Sequence, residues 1–164
     1  MKNFRDFITE HYACEKGTDW VEKHKNLSPK KMWKKCKNAY FLLWLLENID
    51  IPHKELVRIQ LHCLKPFANK DKLFKEAINK AEMWLCGVYN DSDLREIRDK
   101  LYDNDYQSEE DLLYEYYNCF LNFIELILFP GRGVIAGYKV NISAKKIRKS
   151  IPWKTVKKYY KKNA

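Results

Sequence analysis

The chain has 164 residues and a formal net charge of +9, with 46% hydrophobic and 32% charged residues. The hydrophobic content is too high for a disordered chain, and the charged content is too high for a membrane protein. The longest apolar run, residues 40–46, is far shorter than the roughly 20 residues that a membrane span needs. We therefore expect one soluble domain over residues 1–164.

The first half of the chain has the periodicity of amphipathic helices. Residues 3–15 place apolar side chains on one side, and Gly17 is predicted to end that helix. Ser28 and Pro29 form a typical helix start, with a capping side chain followed by proline at the first helical position. They predict a long helix over residues 29–48, whose second half is apolar almost all round and therefore buried.

The second half continues this helical pattern until a loop interrupts it. Four further helices are predicted in this half. The first lies between Pro52 and Pro66, the second runs from residue 71 to Gly87, the third covers residues 94–102, and the fourth covers residues 108–129. Residues 129–141 then contain Pro130 and three of the five glycines, so they are predicted to form an irregular link, with a short strand pair over residues 134–140 as an option.

A basic terminal helix is predicted over residues 142–162, with Ser143 as its cap and a restart at Pro152. The fold class is therefore all-α. We expect a compact bundle or a short solenoid-like array of seven to eight helices, with the irregular link before the basic C-terminal helix.

The terminal segment carries the whole formal excess of positive charge. Residues 141–164 hold nine basic residues and no acidic one, whereas residues 91–115 hold ten acidic residues and three basic ones. Three interpretations stay open: a footprint for nucleic acid or an acidic partner, compensation by the acidic stretch, or a solvated face. The aromatic and apolar residues among the lysines also predict a docked amphipathic helix, with Ile147, Ile151, Val156 and Tyr160 on its buried side.

Residue patterns that could support catalysis or metal binding are weak. The five cysteines (Cys14, Cys36, Cys63, Cys86 and Cys119) are widely spaced without a CxxC motif, so we expect buried free thiols in a reducing cytosol. Three patterns have a possible chemical role: His11 with Cys14 as metal ligands or a nucleophile, residues 130–133 as a phosphate nest, and the acidic residues near helix ends as acid–base groups. An ordinary structural role is favoured for each of them. We therefore expect no catalytic residue, no metal and no cofactor.

Five short motifs follow one another along the chain. They are Ala13-Cys14-Glu15-Lys16-Gly17 with Trp20, Trp33-x-x-Cys36, Leu42-Leu43-Trp44-Leu45-Leu46, Ala77-Ile78 with Ala81-Glu82 and Trp84, and Ala144-x-x-Ile147-Arg148-x-x-Ile151-Pro152. In these motifs the chain resembles a family of small bacterial and phage-borne proteins labelled as immunity proteins of toxin systems. The resemblance implies a compact all-α protein that acts by binding, in which Arg148 pairs with acidic residues of the fold itself.

These observations favour a cytoplasmic, non-enzymatic inhibitor. It would be an immunity-like or phage counter-defence (anti-CRISPR-like) protein that covers a functional surface of a protein partner, with Tyr102, Tyr106 or Tyr114 as further aromatic anchors. The alternative is a nucleic-acid-binding accessory protein that uses the C-terminal helix. The residues predicted to contact a partner are Lys145, Arg148, Lys149, Trp153, Lys154, Lys157 and Lys158, and in the nucleic-acid alternative the stripe extends to Lys161. No membrane partner is expected.

Overall fold

The computed structural model describes residues 4–11, 15–105, 111–130 and 143–163, and within these ranges it contains helices and no strand. The all-α prediction is confirmed. Within the described ranges no helix is both long enough and apolar enough to cross a lipid bilayer. Apart from Phe129 and Pro130, the predicted irregular link and its optional strand pair lie outside the described residues.

The described residues form ten α-helices and one short 3-10 helix, which exceeds the predicted seven to eight. The α-helices are α1 (Phe4–Glu10), α2 (Glu15–Lys23), α3 (Pro29–Lys35), α4 (Ala39–Asn48), α5 (His53–Leu64), α6 (Lys72–Leu85), α7 (Asp91–Asp105), α8 (Asp111–Leu128), α9 (Ala144–Ser150) and α10 (Trp153–Asn163), and the 3-10 helix is Lys65–Lys70. The backbone divides into two compact units. The first unit contains residues 1–51 and 143–164, and the second contains residues 52–142.

The higher count arises because predicted helices are interrupted. The helix expected over residues 29–48 breaks after Lys35, and Asn38 starts α4 by accepting a hydrogen bond on its side-chain oxygen from the Phe41 N–H at 3.1 Å. The basic terminal helix breaks at Ile151, because the residue before a proline avoids helical backbone angles. Gly17 does not end a helix: it lies inside α2 and is buried.

The first unit is built around α4, which has six buried residues and packs against α9. The prediction that this apolar segment is a buried helix is confirmed. The docked face predicted for the terminal segment is also confirmed, because Ile147, Ile151, Val156 and Tyr160 are all at most 3% exposed. Each such side chain contributes about 1.5–3 kcal/mol when it leaves water, so the C-terminal helices are part of the core.

The second unit is held together by α5, α6, α7 and α8, with α7 packed along α8. Its aromatic core includes Phe74 of α6 and Phe120 of α8, whose rings stack with centroids 4.5 Å apart. Gly87 follows α6 with φ of 75°, a left-handed angle that glycine adopts without strain, and the Val88 N–H donates to the Met83 carbonyl. The predicted end of this helix at Gly87 is thereby confirmed.

Glu47, near the end of α4, is a partly buried carboxylate in the first unit. Its Oε1 atom is buried and has no hydrogen-bond partner among the described residues. Burial raises the pKa of this carboxyl above its ordinary value of 4.5, because the charged form loses hydration. The folded chain therefore holds this proton more tightly than the unfolded chain does.

The substitution Glu47→Gln is expected to stabilise the protein at neutral pH. Because the pKa is raised in the folded chain, the free energy of folding becomes less favourable as the pH rises from about 4.5 toward the folded pKa. Glutamine does not ionise, so the variant does not lose this stability. Urea unfolding should show a higher free energy of unfolding for Glu47→Gln than for the unmodified chain at pH 7, and little difference between the two at pH 4. The exposed Glu15→Gln serves as the control, and an equal effect of Glu47→Gln at both pH values would contradict this account.

Candidate functional site

The two units differ in the sign of their charge. The first unit holds 19 basic and 7 acidic residues, a formal charge of +12, whereas the second holds 12 basic and 15 acidic residues, a formal charge of −3. The positive charge is therefore a property of one unit, and a candidate site for an acidic partner lies there.

The seven predicted contact residues separate into two groups. Lys145, Lys149, Lys154, Lys157 and Lys158 are exposed, and so is Lys161, the additional member of the predicted stripe. These six residues are called the C-terminal lysines below. Arg148 and Trp153 are half-buried, and their contacts lie within the first unit. Of the seven residues predicted to contact a partner, five are therefore exposed on the surface, and two make contacts inside the first unit.

Arg148 joins the C-terminal helices to the segment between α3 and α4. Its Nη1 donates a hydrogen bond to the backbone carbonyl of Cys36 at 2.5 Å. The resemblance implied an ion pair with acidic residues of the fold, and that expectation is wrong for the contact seen here, because the acceptor is a carbonyl oxygen. The guanidinium suits this role, since it is always charged and carries several donors in a fixed geometry.

Trp153, at the start of α10, makes a second contact between the C-terminal helices and the α3 region. Its ring lies 6.5 Å from the ring of Trp33 at an interplanar angle of 41°, and α10 packs against α3. Aromatic rings at this separation stabilise a contact by about 0.5–1.5 kcal/mol beyond the burial of their area. In the structure, the predicted partner-binding tryptophan supports the contact between α3 and α10.

Because α3 packs against α10, a second group of lysines belongs to the candidate site. Lys30, Lys31, Lys34, Lys35 and Lys37, called the N-terminal lysines below, lie on or directly after α3 and are all exposed. Sequence reasoning did not place them in the site, although their clustering is visible in the sequence. The missing information was that α3 packs against α10, a contact between segments more than 100 residues apart.

Neither lysine group is paired with carboxylates in the part of the chain that the structure describes. Within the described residues, none of the eleven side chains forms an ion pair with a carboxylate. Lys158 lies over the ring of Tyr159, with Nζ 5.6 Å from the ring centroid. These lysines keep their charge available to a partner.

The second unit shows the opposite arrangement, because several of its charges pair with one another. Lys80 and Lys100 both contact Glu96, at 2.8 and 2.7 Å, and Lys100 also contacts Glu76. The hydrogen bond from Lys100, followed by that from Lys80, lowers the pKa of Glu96 to about 2. Lys65 pairs with Glu82 in the same unit.

The acidic residues of the described part of residues 91–115 have local structural roles. Asp91 accepts a hydrogen bond from Trp84 Nε1 at 3.2 Å, and Asp93 accepts one from the Asn90 N–H at 2.9 Å. The Asp93 contact agrees with the expectation that capping places carboxylates near helix ends, because its acceptor oxygen binds a backbone N–H at the start of α7. Both contacts position the start of α7.

The described cysteines and histidines do not form a reactive cluster. Burial raises the pKa of the Cys36 thiol to about 11 and that of the Cys119 thiol to about 12, which keeps both protonated and poorly nucleophilic. Cys86 is exposed, so the expectation that all five cysteines are buried is wrong there; it lies at the C-terminal cap of α6, outside the apolar stripe. Within the described ranges no group of three or more metal-ligating side chains occurs.

Several other predicted features can now be placed. Cys14, the partner suggested for His11, lies outside the described residues, as do Tyr106 and residues 131–133 of the phosphate nest. Tyr102 and Tyr114 are 50% and 40% exposed. They belong to the second unit and therefore are not part of the basic surface of the first unit.

Comparison with known proteins returns no relative. No family model matches the chain, and no curated protein and no solved structure matches it. The resemblance to immunity proteins consequently stays a prediction, and the functional argument depends on the contacts and charges of this chain.

Replacement of Arg148 by methionine should destabilise the protein by about 1–3 kcal/mol, because the Cys36 carbonyl loses a charged donor in a half-buried setting. The neighbouring exposed Lys149→Met is the matched control and should change stability by no more than about 0.5 kcal/mol. Urea unfolding followed by circular dichroism measures both. Equal stability of Arg148→Met and the control would show that the hydrogen bond contributes nothing.

Proposed function

We propose that the chain is a non-enzymatic, cytoplasmic protein that acts by binding, and that its basic surface covers an acidic functional surface of a macromolecular partner. The basic surface consists of the C-terminal and the N-terminal lysines. The observation that carries this proposal is that these exposed lysines form no ion pair among the described residues, while lysines of the second unit do.

Electrostatics explains how such a surface would work. A surface of one sign raises the rate at which an oppositely charged partner arrives and fixes the orientation in which it binds. Ile147 and Val156 are at most 1% exposed, so the helices that carry the C-terminal lysines are anchored in the core. The lysines are therefore presented by ordered helices, which reduces the entropy cost of binding.

Two forms of this function are compatible with the surface. In the first, the partner is a protein, and the chain is an immunity-like or counter-defence inhibitor, as the resemblance implies. In the second, the partner is nucleic acid, and the chain is an accessory protein. Both forms require the same lysines and no catalytic group.

Charge reversal on α10 tests the shared requirement. The double variant Lys154→Glu/Lys157→Glu is expected to elute from immobilised heparin, a polyanion, at a clearly lower salt concentration than the unmodified chain does. The control is Lys72→Glu/Lys75→Glu in α6, which changes the same number of exposed lysines at the same spacing and gives the same net charge.

The control variant is expected to elute close to the unmodified chain, since its lysines lie in the other unit. Equal shifts for both double variants would mean that net charge alone governs retention. That result would contradict a localised binding surface.

A further inference from the structure

We infer that α3, α9 and α10 together form one surface for duplex nucleic acid, in which lysines of both groups bind backbone phosphates. This inference rests on the proposed function, because it names the acidic partner of the same surface. It adds the N-terminal lysines as functional residues.

The continuity of the surface follows from contacts inside the first unit. The Trp33 and Trp153 rings lie 6.5 Å apart, and Arg148 is bonded to the Cys36 carbonyl at the end of α3. Lys30 precedes Trp33 by three residues and Lys157 follows Trp153 by four, so each shares a helix side with its tryptophan. Both lysines are exposed, and they lie on the two helices that the contact between the tryptophans joins.

The composition of the surface favours nucleic acid over protein. Protein interfaces are depleted in lysine relative to the rest of a surface, whereas protein–nucleic acid interfaces are much more positively charged. Here ten exposed lysines lie on three helices and Lys37 follows α3, and the segment that contains α9 and α10 has no acidic residue. A surface with one sign of charge matches the uniform charge of a phosphate backbone.

The location of the exposed apolar side chains points the same way. Among the described residues, the large hydrophobic side chains that are exposed are Met83, Val88, Tyr89, Tyr102 and Tyr114. All of them belong to the second unit. Among the residues that the structure describes in the first unit, the large hydrophobic side chains are buried or partly buried, so no strongly exposed aromatic or aliphatic side chain stands there as an anchor for a tight protein interface.

The same observation selects a duplex over a single strand. Proteins that bind single strands stack bases on aromatic side chains, and each stacked base contributes about 1–3 kcal/mol. Trp33 is 3% exposed and Trp153 faces it, so these two rings are engaged with each other. Lysine ammonium groups bind backbone phosphates as point charges, so the expected binding is largely independent of sequence and common to DNA and RNA duplexes.

Fluorescence anisotropy with a labelled 20-base-pair DNA duplex tests this inference. The unmodified chain should bind with a dissociation constant in the range of about 1–100 μM near physiological salt, and more tightly at lower salt. The variants Lys30→Gln/Lys34→Gln and Lys154→Gln/Lys157→Gln should each reduce the slope of log K against log salt by about 2, and their combination by about 4. Lys72→Gln/Lys75→Gln is the control and should leave the slope unchanged.

Additional probes separate the partner classes. An RNA duplex of the same length should bind comparably, and a single strand of mixed sequence should bind more weakly per phosphate. Polyglutamate stands for an acidic protein and should compete poorly with the duplex. Circular dichroism spectra of the variants should match the unmodified chain, because the changed residues are exposed.

Each contrary outcome has a defined meaning. Unchanged binding by Lys30→Gln/Lys34→Gln would overturn the composite surface and leave α10 as the contact. Binding to polyglutamate and heparin without binding to duplexes would overturn the nucleic-acid inference while supporting the proposed function. Binding to none of the polyanions would overturn both.

Discussion

The docking of the two C-terminal helices onto α3 and α4 is the constraint on which the first unit depends. A hydrogen bond from Arg148 to the Cys36 carbonyl spans 112 positions of sequence, and the Trp33–Trp153 contact lies beside it. Forming such distant contacts costs the conformational entropy of closing a long loop, and this cost is offset only if the apolar burial around the contacts is large. The nearly complete burial of Ile147 and Tyr160 supplies that burial.

Docking also determines what the first unit shows to solvent. The apolar and aromatic sides of α3 and α10 face inward, so the side chains exposed on these two helices are mainly lysines. In the second unit, by contrast, Lys80 and Lys100 are held by Glu96. Similar residue types thus have different availability in the two units, because their neighbours differ. The concentration of exposed lysines on α3, α9 and α10, which form no ion pair within the described residues, is the physical basis of the functional proposal.

The sequence was informative where a local rule decides the structure. Helical periodicity located the docked face of the terminal segment, and turn chemistry located the end of α6 at Gly87. The prediction was wrong at two helix boundaries: Gly17 is accommodated inside α2, and the local side-chain cap of Asn38 begins a new helix within a predicted continuous one. The proposed contribution of Lys30 and its neighbours to the basic surface could not be predicted from the sequence, because periodicity does not reveal which helices pack together.

Hydrogen exchange of the α10 amides tests the central claim, the docking of the C-terminal helices, most directly. An isolated helix of 11 residues is only marginally stable in water, so its amides would exchange at nearly the rate of an unfolded peptide. Docking predicts that the amides around Val156 and Tyr160 exchange far more slowly, at rates close to those of α4. Exchange of these amides at the rate of a free peptide, with α4 still protected, would contradict the account.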